Sequence, residues 1–328
     1  MTVFLHDLLT SSANPNAPAI SLKSATLDYR KLQALTLSTA KALISLDIQR
    51  FDRVGIYLGK NFENVATMMA ASMTGTTFVP INATLKALQV THIINDCDVK
   101  VLVTNQARLL QLLSSQTNLK SLKHVVLVDD IDAKTVEQHN FNVYQWGNWL
   151  QDATNLEVTS APATSNDMAA ILYTSGSTGA PKGVVLSHTN LILGAQSVTN
   201  YLDNKSSDVI LAALPFSFDY GLNQLISALY VGAHCILLDY LLPRDIVRAI
   251  AKHGVTGFAA VPPLWQQFTQ LNVSPKELSS LRYFTNSGGA LAVSTLAQLR
   301  TMMPNALPYL MYGLTEAFRS TYLSPDQI

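Results

Sequence analysis

Residues 173–184 read Tyr173-Thr174-Ser175-Gly176-Ser177-Thr178-Gly179-Ala180-Pro181-Lys182-Gly183-Val184, and they directly follow the strand-like run Ala169–Leu172. Between Thr174 and Gly183 lie three glycines, four serine or threonine hydroxyls and one lysine. Glycine lets a backbone curl until several N–H groups converge on one anion. Thr174, Ser175, Ser177 and Thr178 add donors, and Lys182 can balance phosphate charge. The spacing is not GxxxxGK[ST], so a Walker nucleotide loop is not indicated. Composition alone explains the stretch equally well as a Ser/Gly surface loop.

Working outward, the chain alternates short apolar runs with helical spacing. Helices are expected at Leu32–Leu46, Asn61–Met73, Lys86–Ile94 and Leu109–Leu113, and strands at Arg53–Leu58, Gly75–Pro80, Val99–Val103 and His124–Val128. Residues 129–166 are more polar and read as a connection packed on the first unit, with an aromatic cluster of Tyr144, Trp146 and Trp149. The turn-like SAPATSN at 160–166 suggests a boundary, giving units of 1–165 and 166–328. Beyond it, strands are expected at Ala169–Tyr173, Val209–Leu214, His234–Leu238, Gly257–Val261, Leu281–Asn286 and Tyr309–Met311. Helices are expected at Thr189–Asn200, Leu222–Leu229, Pro243–His253, Pro263–Leu271 and Val293–Met302. Near-continuous apolar strands alternating with helices mean an α/β chain with largely parallel sheets.

The 328 residues suit roughly two domains and need no staples to bury a core. Lys+Arg and Asp+Glu both number 22, and charged residues are only 13%, about half the usual share. A disordered chain is excluded, as is broad electrostatic binding to nucleic acid or an anionic membrane. Cys97 and Cys235 cannot make a disulfide framework and form no metal-binding cluster. The opening MTVFLHDLLT does not read as a secretory signal, so a cytoplasmic protein is expected. Tyr220–Leu238 is uncharged, but Asn223, Gln224, Ser227, Gly221 and Gly232 interrupt it. It reads as buried helix then buried strand, not as a transmembrane segment. The sparse charge predicts apolar surface that something beyond these residues covers, and possible self-association without it.

Three further stretches carry chemistry. In Leu214-Pro215-Phe216-Ser217-Phe218-Asp219-Tyr220-Gly221, three aromatics can form a wall and Gly221 permits a close turn; core packing is the plain alternative. In Thr285-Asn286-Ser287-Gly288-Gly289-Ala290-Leu291, adjacent glycines after a strand let a flat ring approach the backbone, as would any tight turn. In Met311-Tyr312-Gly313-Leu314-Thr315-Glu316-Ala317, Tyr312 offers a ring to stack on, Thr315 a hydroxyl for a phosphate or carboxylate oxygen, and Glu316 a hard oxygen ligand for Mg²⁺.

The string TSGSTGAPKGVVLSH at 174–188 resembles the signature loop of the adenylate-forming superfamily, which includes acyl- and aryl-CoA synthetases, luciferases and the adenylation domains of peptide synthetases. The other three stretches resemble its LPxFHxxG, SGGAxL and YGxTE motifs in the same order. Phe218 stands where histidine is frequent, so it reads as a gate or packing residue. The resemblance implies that Thr174, Ser175, Gly176, Ser177, Thr178, Gly179 and Lys182 hold ATP phosphates. It assigns Gly288, Gly289, Ala290, Tyr312 and Gly313 to the adenine side, Thr315 to the α-phosphate or a carboxylate oxygen of the acid, and Glu316 to Mg²⁺. Phe218, Tyr220, Gly221, Ser287 and Gly288 would line the acid site, and Thr174, Lys182, Thr315 and Glu316 would carry the catalysis. The loop near Ser177, the Gly288 pair and the Tyr312/Glu316 edge are expected to face one ATP-sized cleft.

Asn82-Ala83, Val90–Cys97 and Tyr312–Leu323 look more narrowly like acyl-CoA ligases linked to the exosortase A system. That implies a fatty acid substrate, ATP-dependent formation of an acyl-adenylate, and transfer to the thiol of CoA or of a carrier protein. The implied fold is the large N-terminal domain of the family, two layered α/β subdomains, stopping after YGLTE. The family's barrel-like subdomain with its TGD aspartate, and its C-terminal domain with a catalytic lysine, find no counterpart here. These 328 residues alone are therefore expected to be impaired. A non-catalytic ATP- or acyl-binding module and a truncated structural remnant are the alternatives.

Overall fold

The computed structural model describes residues 3–115, 118–131, 140–158, 164–174, 181–318 and 320–328. A hairpin of β1 (Pro18–Leu22) and β2 (Ala25–Asp28) is followed by α1 (Tyr29–Ile44), β3 (Arg53–Ile56), α2 (Phe62–Thr74), β4 (Thr77–Pro80), α3 (Ala87–Asp96), β5 (Val99–Thr104) and α4 (Gln106–Ser114). Then come β6 (His124–Leu127), β7 (Asn142–Gln145), α5 (Trp146–Asp152), β8 (Met168–Thr174), β9 (Lys182–Ser187), α6 (His188–Tyr201), β10 (Val209–Ala212) and α7 (Asp219–Tyr230). The chain continues through β11 (His234–Leu237), α8 (Pro243–His253), β12 (Gly257–Ala260), α9 (Pro262–Thr269), β13 (Tyr283–Asn286), α10 (Val293–Met302), β14 (Leu307–Tyr312) and β15 (Thr321–Leu323).

Packing divides these elements into two compact units. One comprises Met1–Asp7 and Arg30–Leu191; the other comprises Leu8–Tyr29 and Ile192–Ile328. Composition placed its division at 165/166, whereas β8 and β9 complete the first unit's sheet and the opening hairpin serves the second. The first sheet has the order β7-β6-β5-β3-β4-β8-β9, parallel except for the β8–β9 pair. The second has the order β15-β14-β13-β12-β10-β11-β1-β2, parallel from β14 to β1 and antiparallel at both ends. Among the described residues, no helix is long and apolar enough to cross a membrane; the uncharged stretch from Tyr220 is α7 followed by β11.

Local chemistry accounts for the element ends. Asn61 caps α2 by accepting from the Asn64 N–H, and Gly75 ends that helix at φ +72°, the left-handed conformation glycine adopts without penalty. Pro243 opens α8 at its first position, where no N–H is missed. The core of the first unit gathers Tyr57, Val79, Ile94, Leu102 and Val125. That of the second centres on Trp265, packed edge-on against Phe258, Phe268 and Phe284.

The segment 129–166, expected as a plain connection, is more regular than its polarity suggests. Its β7 adds an edge strand beside β6, and α5 buries Trp146 and Trp149. Of the two cysteines, Cys235 is buried, whereas Cys97 is only partly covered. The Cys97 thiol points to the Ile93 carbonyl at 3.1 Å, and burial pushes its pKa up to about 11, so it is no ready nucleophile.

One polar network joins three strand starts in the second unit. Asp208 precedes β10, Thr256 precedes β12 and Arg282 precedes β13. Arg282 donates to both Asp208 oxygens, from Nε at 3.2 Å and from Nη2 at 2.8 Å. The Thr256 hydroxyl donates to Asp208 Oδ1 at 2.7 Å, and the Lys205 N–H donates to Oδ2 at 2.9 Å. Burial works to raise the Asp208 pKa, but these donors outweigh it and hold the carboxyl below its ordinary range.

A buried histidine and a half-buried one carry a pH liability. His188, at the start of α6, accepts the Leu5 N–H on Nδ1 at 3.3 Å and meets Phe4 edge-on. It anchors the amino-terminal segment of the first unit. In the second unit His234 Nε2 lies 2.7 Å from the Ser21 hydroxyl. Burial lowers each from an ordinary 6.5 to about 4, helped by the neighbouring His6 and His253 charges respectively. The unfolded chain takes up these protons first. The stability these two histidines contribute is therefore full above about pH 6.5, falls as pH drops toward about 4, and levels off below. Urea unfolding at half-unit steps from pH 7.5 to 4 checks this, and His188→Gln is expected to make the decline shallower.

Candidate active site

The parallel strands β10, β12, β13 and β14 present their carboxyl ends along one edge of the second sheet. The connections from β10 run to β11 on one side, while β12, β13 and β14 lie on the other. Such a switch in direction opens a crevice beyond the strand ends, where open α/β sheets bind ligands. Three of the four sequence motifs fall on this edge: 214–221 after β10, 285–291 at the end of β13, and 311–317 at the end of β14.

The first motif does not build a single aromatic wall. Phe216 is buried and Phe218 is 51% exposed at the N-cap of α7. Tyr220 is buried and shares a 2.6 Å hydrogen bond with the Thr285 hydroxyl on β13. Gly221 is needed for space, not for a turn. It sits in the first turn of α7, and a Cβ there would lie 2.1 Å from the Pro215 carbonyl oxygen and 2.8 Å from that of Leu214. Below Tyr220 a narrow crevice of about 10 Å³ is lined in part by Asn223, Gln224, Ser227, Thr285 and Met311, room for one water. Its helix-borne polar groups are satisfied locally: Ser227 donates to Asn223 Oδ1 at 3.1 Å, and Gln224 Nε2 donates to the Tyr220 carbonyl at 3.2 Å.

The second motif leaves β13 as a bare backbone ledge. Ser287 is buried, whereas Gly288, Gly289 and Ala290 are exposed. Gly288 has φ +79°, and a Cβ on it would approach Val261 to 3.3 Å; one on Gly289 would meet Pro262 at the same distance. Asn286 Nδ2 donates to the Gly289 carbonyl at 3.0 Å and braces the ledge. The buried Oδ1 of Asn286 has no partner among the described residues. A buried acceptor left open beside a side-chain-free ledge fits an incoming donor group on a flat ligand.

In the third motif, Tyr312 closes β14 with its ring 62% exposed. Leu314 and Ala317 exchange backbone hydrogen bonds of 3.1 and 3.2 Å, a tight turn with Thr315 and Glu316 at its tip. Glu316 is exposed. Among the described residues no group of three or more His, Cys, Asp or Glu side chains could hold a metal ion. A single exposed carboxylate fits Mg²⁺, which keeps most of its waters and relies on substrate phosphates, and would not suffice for Ca²⁺ or Zn²⁺.

The glycine- and hydroxyl-rich stretch from Thr174 belongs to the first unit. Thr174 ends β8 and pairs with Lys182, the exposed first residue of β9. Ser175, Gly176, Ser177, Thr178 and Gly179 lie outside the described residues. Helix α3 holds both flanks of this hairpin. The Tyr173 hydroxyl donates to Asp96 Oδ2 at 2.5 Å, and His92 Nε2 donates to the Pro181 carbonyl at 3.1 Å. A side chain at Gly183 would run into Ile171 at 2.6 Å and into the Tyr173 ring. The grip by His92 and Asp96 had no local signal in the sequence, because Tyr173 and Pro181 lie on a distant segment. His188, at the end of the signature string, packs against Leu5 and Phe4.

Comparison with known proteins agrees with this arrangement. Residues 10–327 match the family of AMP-binding enzymes. The chain belongs to that family. Over 319 residues it is 31% identical to an L-proline–[L-prolyl-carrier protein] ligase of Streptomyces coelicolor, covering 95% of this chain and 59% of that protein. It is 30% identical over 296 residues to 4-coumarate–CoA ligase 3 of Arabidopsis thaliana, covering 88% and 51% respectively. The chain thus spans about half the length of the curated relatives it matches. Among solved structures, VinN with L-aspartate superposes with a TM-score of 0.81 at 27% identity, over 98% of this chain and 79% of that one. The anthranilate CoA ligase AuaEII with anthranoyl-AMP shares the fold, with a TM-score of 0.89 at 24% identity, over 100% of this chain and 64% of that one.

Gly221→Ala tests the close backbone crossing at the base of the first motif. Overpacking against a carbonyl that cannot swing away is expected to cost about 3 kcal/mol or more, read as a lower urea midpoint. Gly254→Ala, at a site with no atom within 4 Å of the new Cβ, carries only the smaller strain of a positive φ.

Proposed function

We propose that this chain forms the acid-activating part of an ATP-dependent acid–thiol ligase. The observation that supports it most is the convergence of three motif-bearing loops on one carboxyl edge of a parallel sheet, within a family match spanning nearly all residues. A carboxylate oxygen of the acid attacks the α-phosphorus of ATP. The bond from that phosphorus to the bridging oxygen breaks, and its electron pair leaves with pyrophosphate. The product is an acyl-adenylate, and no protein nucleophile or proton transfer is needed.

In the second unit, the Gly288–Ala290 ledge and the Tyr312 ring would take the adenine, and Gly313 leaves room for it. Thr315 would bond an α-phosphate oxygen, and Ser287 with Phe218, Tyr220 and Gly221 would border the acid. Glu316 would hold Mg²⁺, which when bound offsets charge growing on the phosphoryl oxygens. In the first unit, Thr174, the Ser175–Gly179 loop and Lys182 would take the β- and γ-phosphates. Donors fixed before the reaction act strongly because they need no reorganisation as charge develops.

The resemblance to exosortase-linked ligases favours a fatty acid and CoA. The crevice beneath Tyr220 favours a shorter, polar acid instead. The space there is too small for a long alkyl tail. Relatives that act with a prolyl-carrier protein or bind L-aspartate support the second reading, with a carrier-protein thiol as the acceptor. Exchange of labelled pyrophosphate into ATP by the full-length protein separates the two, using proline, aspartate, hexanoate and palmitate. The polar acids are expected to drive exchange; exchange driven by palmitate alone would return the reading to a fatty acid. Binding of ATP with no exchange for any acid would favour a non-catalytic module. Lys182→Ala and Glu316→Gln are each expected to lower exchange about 10²–10³-fold.

A further inference from the structure

The turn that carries Thr315 and Glu316 has little of its own to hold it. Its two internal bonds join only Leu314 and Ala317, and both Leu314 and Tyr312 are largely exposed. What fixes its direction lies just beyond it. The ring of Phe318 rests on the backbone of α6 at Gly194: a Cβ on Gly194 would stand 2.5 Å from Phe318 Cδ1 and 2.7 Å from Cε1. Seven residues along the same helix, the Tyr201 ring stacks on Tyr322 of β15, with centroids 4.1 Å apart and planes 13° from parallel. The Tyr201 hydroxyl also donates to Met311 Sδ of β14 at 3.3 Å. Positions 194 and 201 are two turns apart on one face of α6, so the helix grips both strands that flank the turn.

Glycine inside a helix costs roughly 1 kcal/mol relative to alanine. Gly194 is neither at a helix end nor in a left-handed conformation, so its use here points to space. We propose that Gly194 and Phe318 form a seat that, with the Tyr201–Tyr322 stack, positions Thr315 and Glu316 for the nucleotide. The positioning role rests on the adenylation reading above; the seat itself does not. None of these four residues needs to touch ATP.

The seat makes a sign-changing prediction. With Phe318 present, Gly194→Ala drives a methyl group into the ring and lowers Tm by roughly 5 °C. In a Phe318→Ala background the clash is gone and only helix propensity remains, so the same substitution raises Tm by roughly 2 °C. Hydrogen exchange of residues 313–323 is expected to rise in Gly194→Ala, and exchange at β8 to stay unchanged. Binding of Mg²⁺-ATP by the full-length protein, followed calorimetrically, is expected to weaken about tenfold in Gly194→Ala and in Phe318→Ala, and no further in the double variant. A Tm change of the same sign in both backgrounds would overturn the seat. The expected Tm pattern with ATP affinity within twofold of wild type would overturn the positioning role. If the wild-type protein binds no ATP, the adenylation reading fails and the positioning role with it, while the Tm comparison still judges the seat.

Discussion

The carboxylate of Asp208 holds the second unit in register. It accepts from Arg282, Thr256 and the Lys205 N–H, residues that sit at or before the starts of three strands. In parallel strands, fixing the starts fixes the finishes. The motif loops leave β10, β13 and β14 at heights set by this network at the far end of the same strands. A buried charge gains such a place only when its lone pairs are filled, and here both oxygens are occupied. The cost of desolvating Asp208 is thereby turned into alignment of the edge where chemistry is proposed.

Along that edge, side chains are removed as often as they are supplied. Gly221 lets a helix turn press on the Pro215 carbonyl, Gly288 takes a backbone angle other residues avoid, and Gly194 accepts an aromatic ring. Functional groups are then few: the exposed Tyr312 and Glu316 and the half-buried Thr315. In the first unit, Tyr173 and Pro181 are tied to one helix through Asp96 and His92. Both units thus use distant side chains to hold the bases of loops whose tips carry the polar groups.

Much of this was legible in the letters. Pro243–His253 and Val293–Met302 were read with their ends as found, because proline starts one and clear apolar spacing marks both. The parallel sheets followed from apolar strands alternating with helices. The β1–β2 hairpin was not legible: its turn uses Lys23 at φ +56° in place of the Asn-Gly pair that announces such turns. Edge strand β7 was hidden by its polar ends and β15 by its length of three residues. Within the site, residue types were readable but spacing needs were not. Gly221 looked like a turn residue and is a packing residue, and the three aromatics around it point to different surroundings. Gly194 had no local signal, because its partner lies more than a hundred positions away.

The opening hairpin has a consequence for synthesis. β1 is completed by β11, with Ile20 facing Cys235 across a parallel pair. A ribosome adding about 5–20 residues per second therefore delivers the second strand roughly 10–40 s after the first. Throughout that interval β1 presents an unpaired edge, and such edges recruit neighbouring chains. The nascent protein has to shelter β1 until β11 has been made.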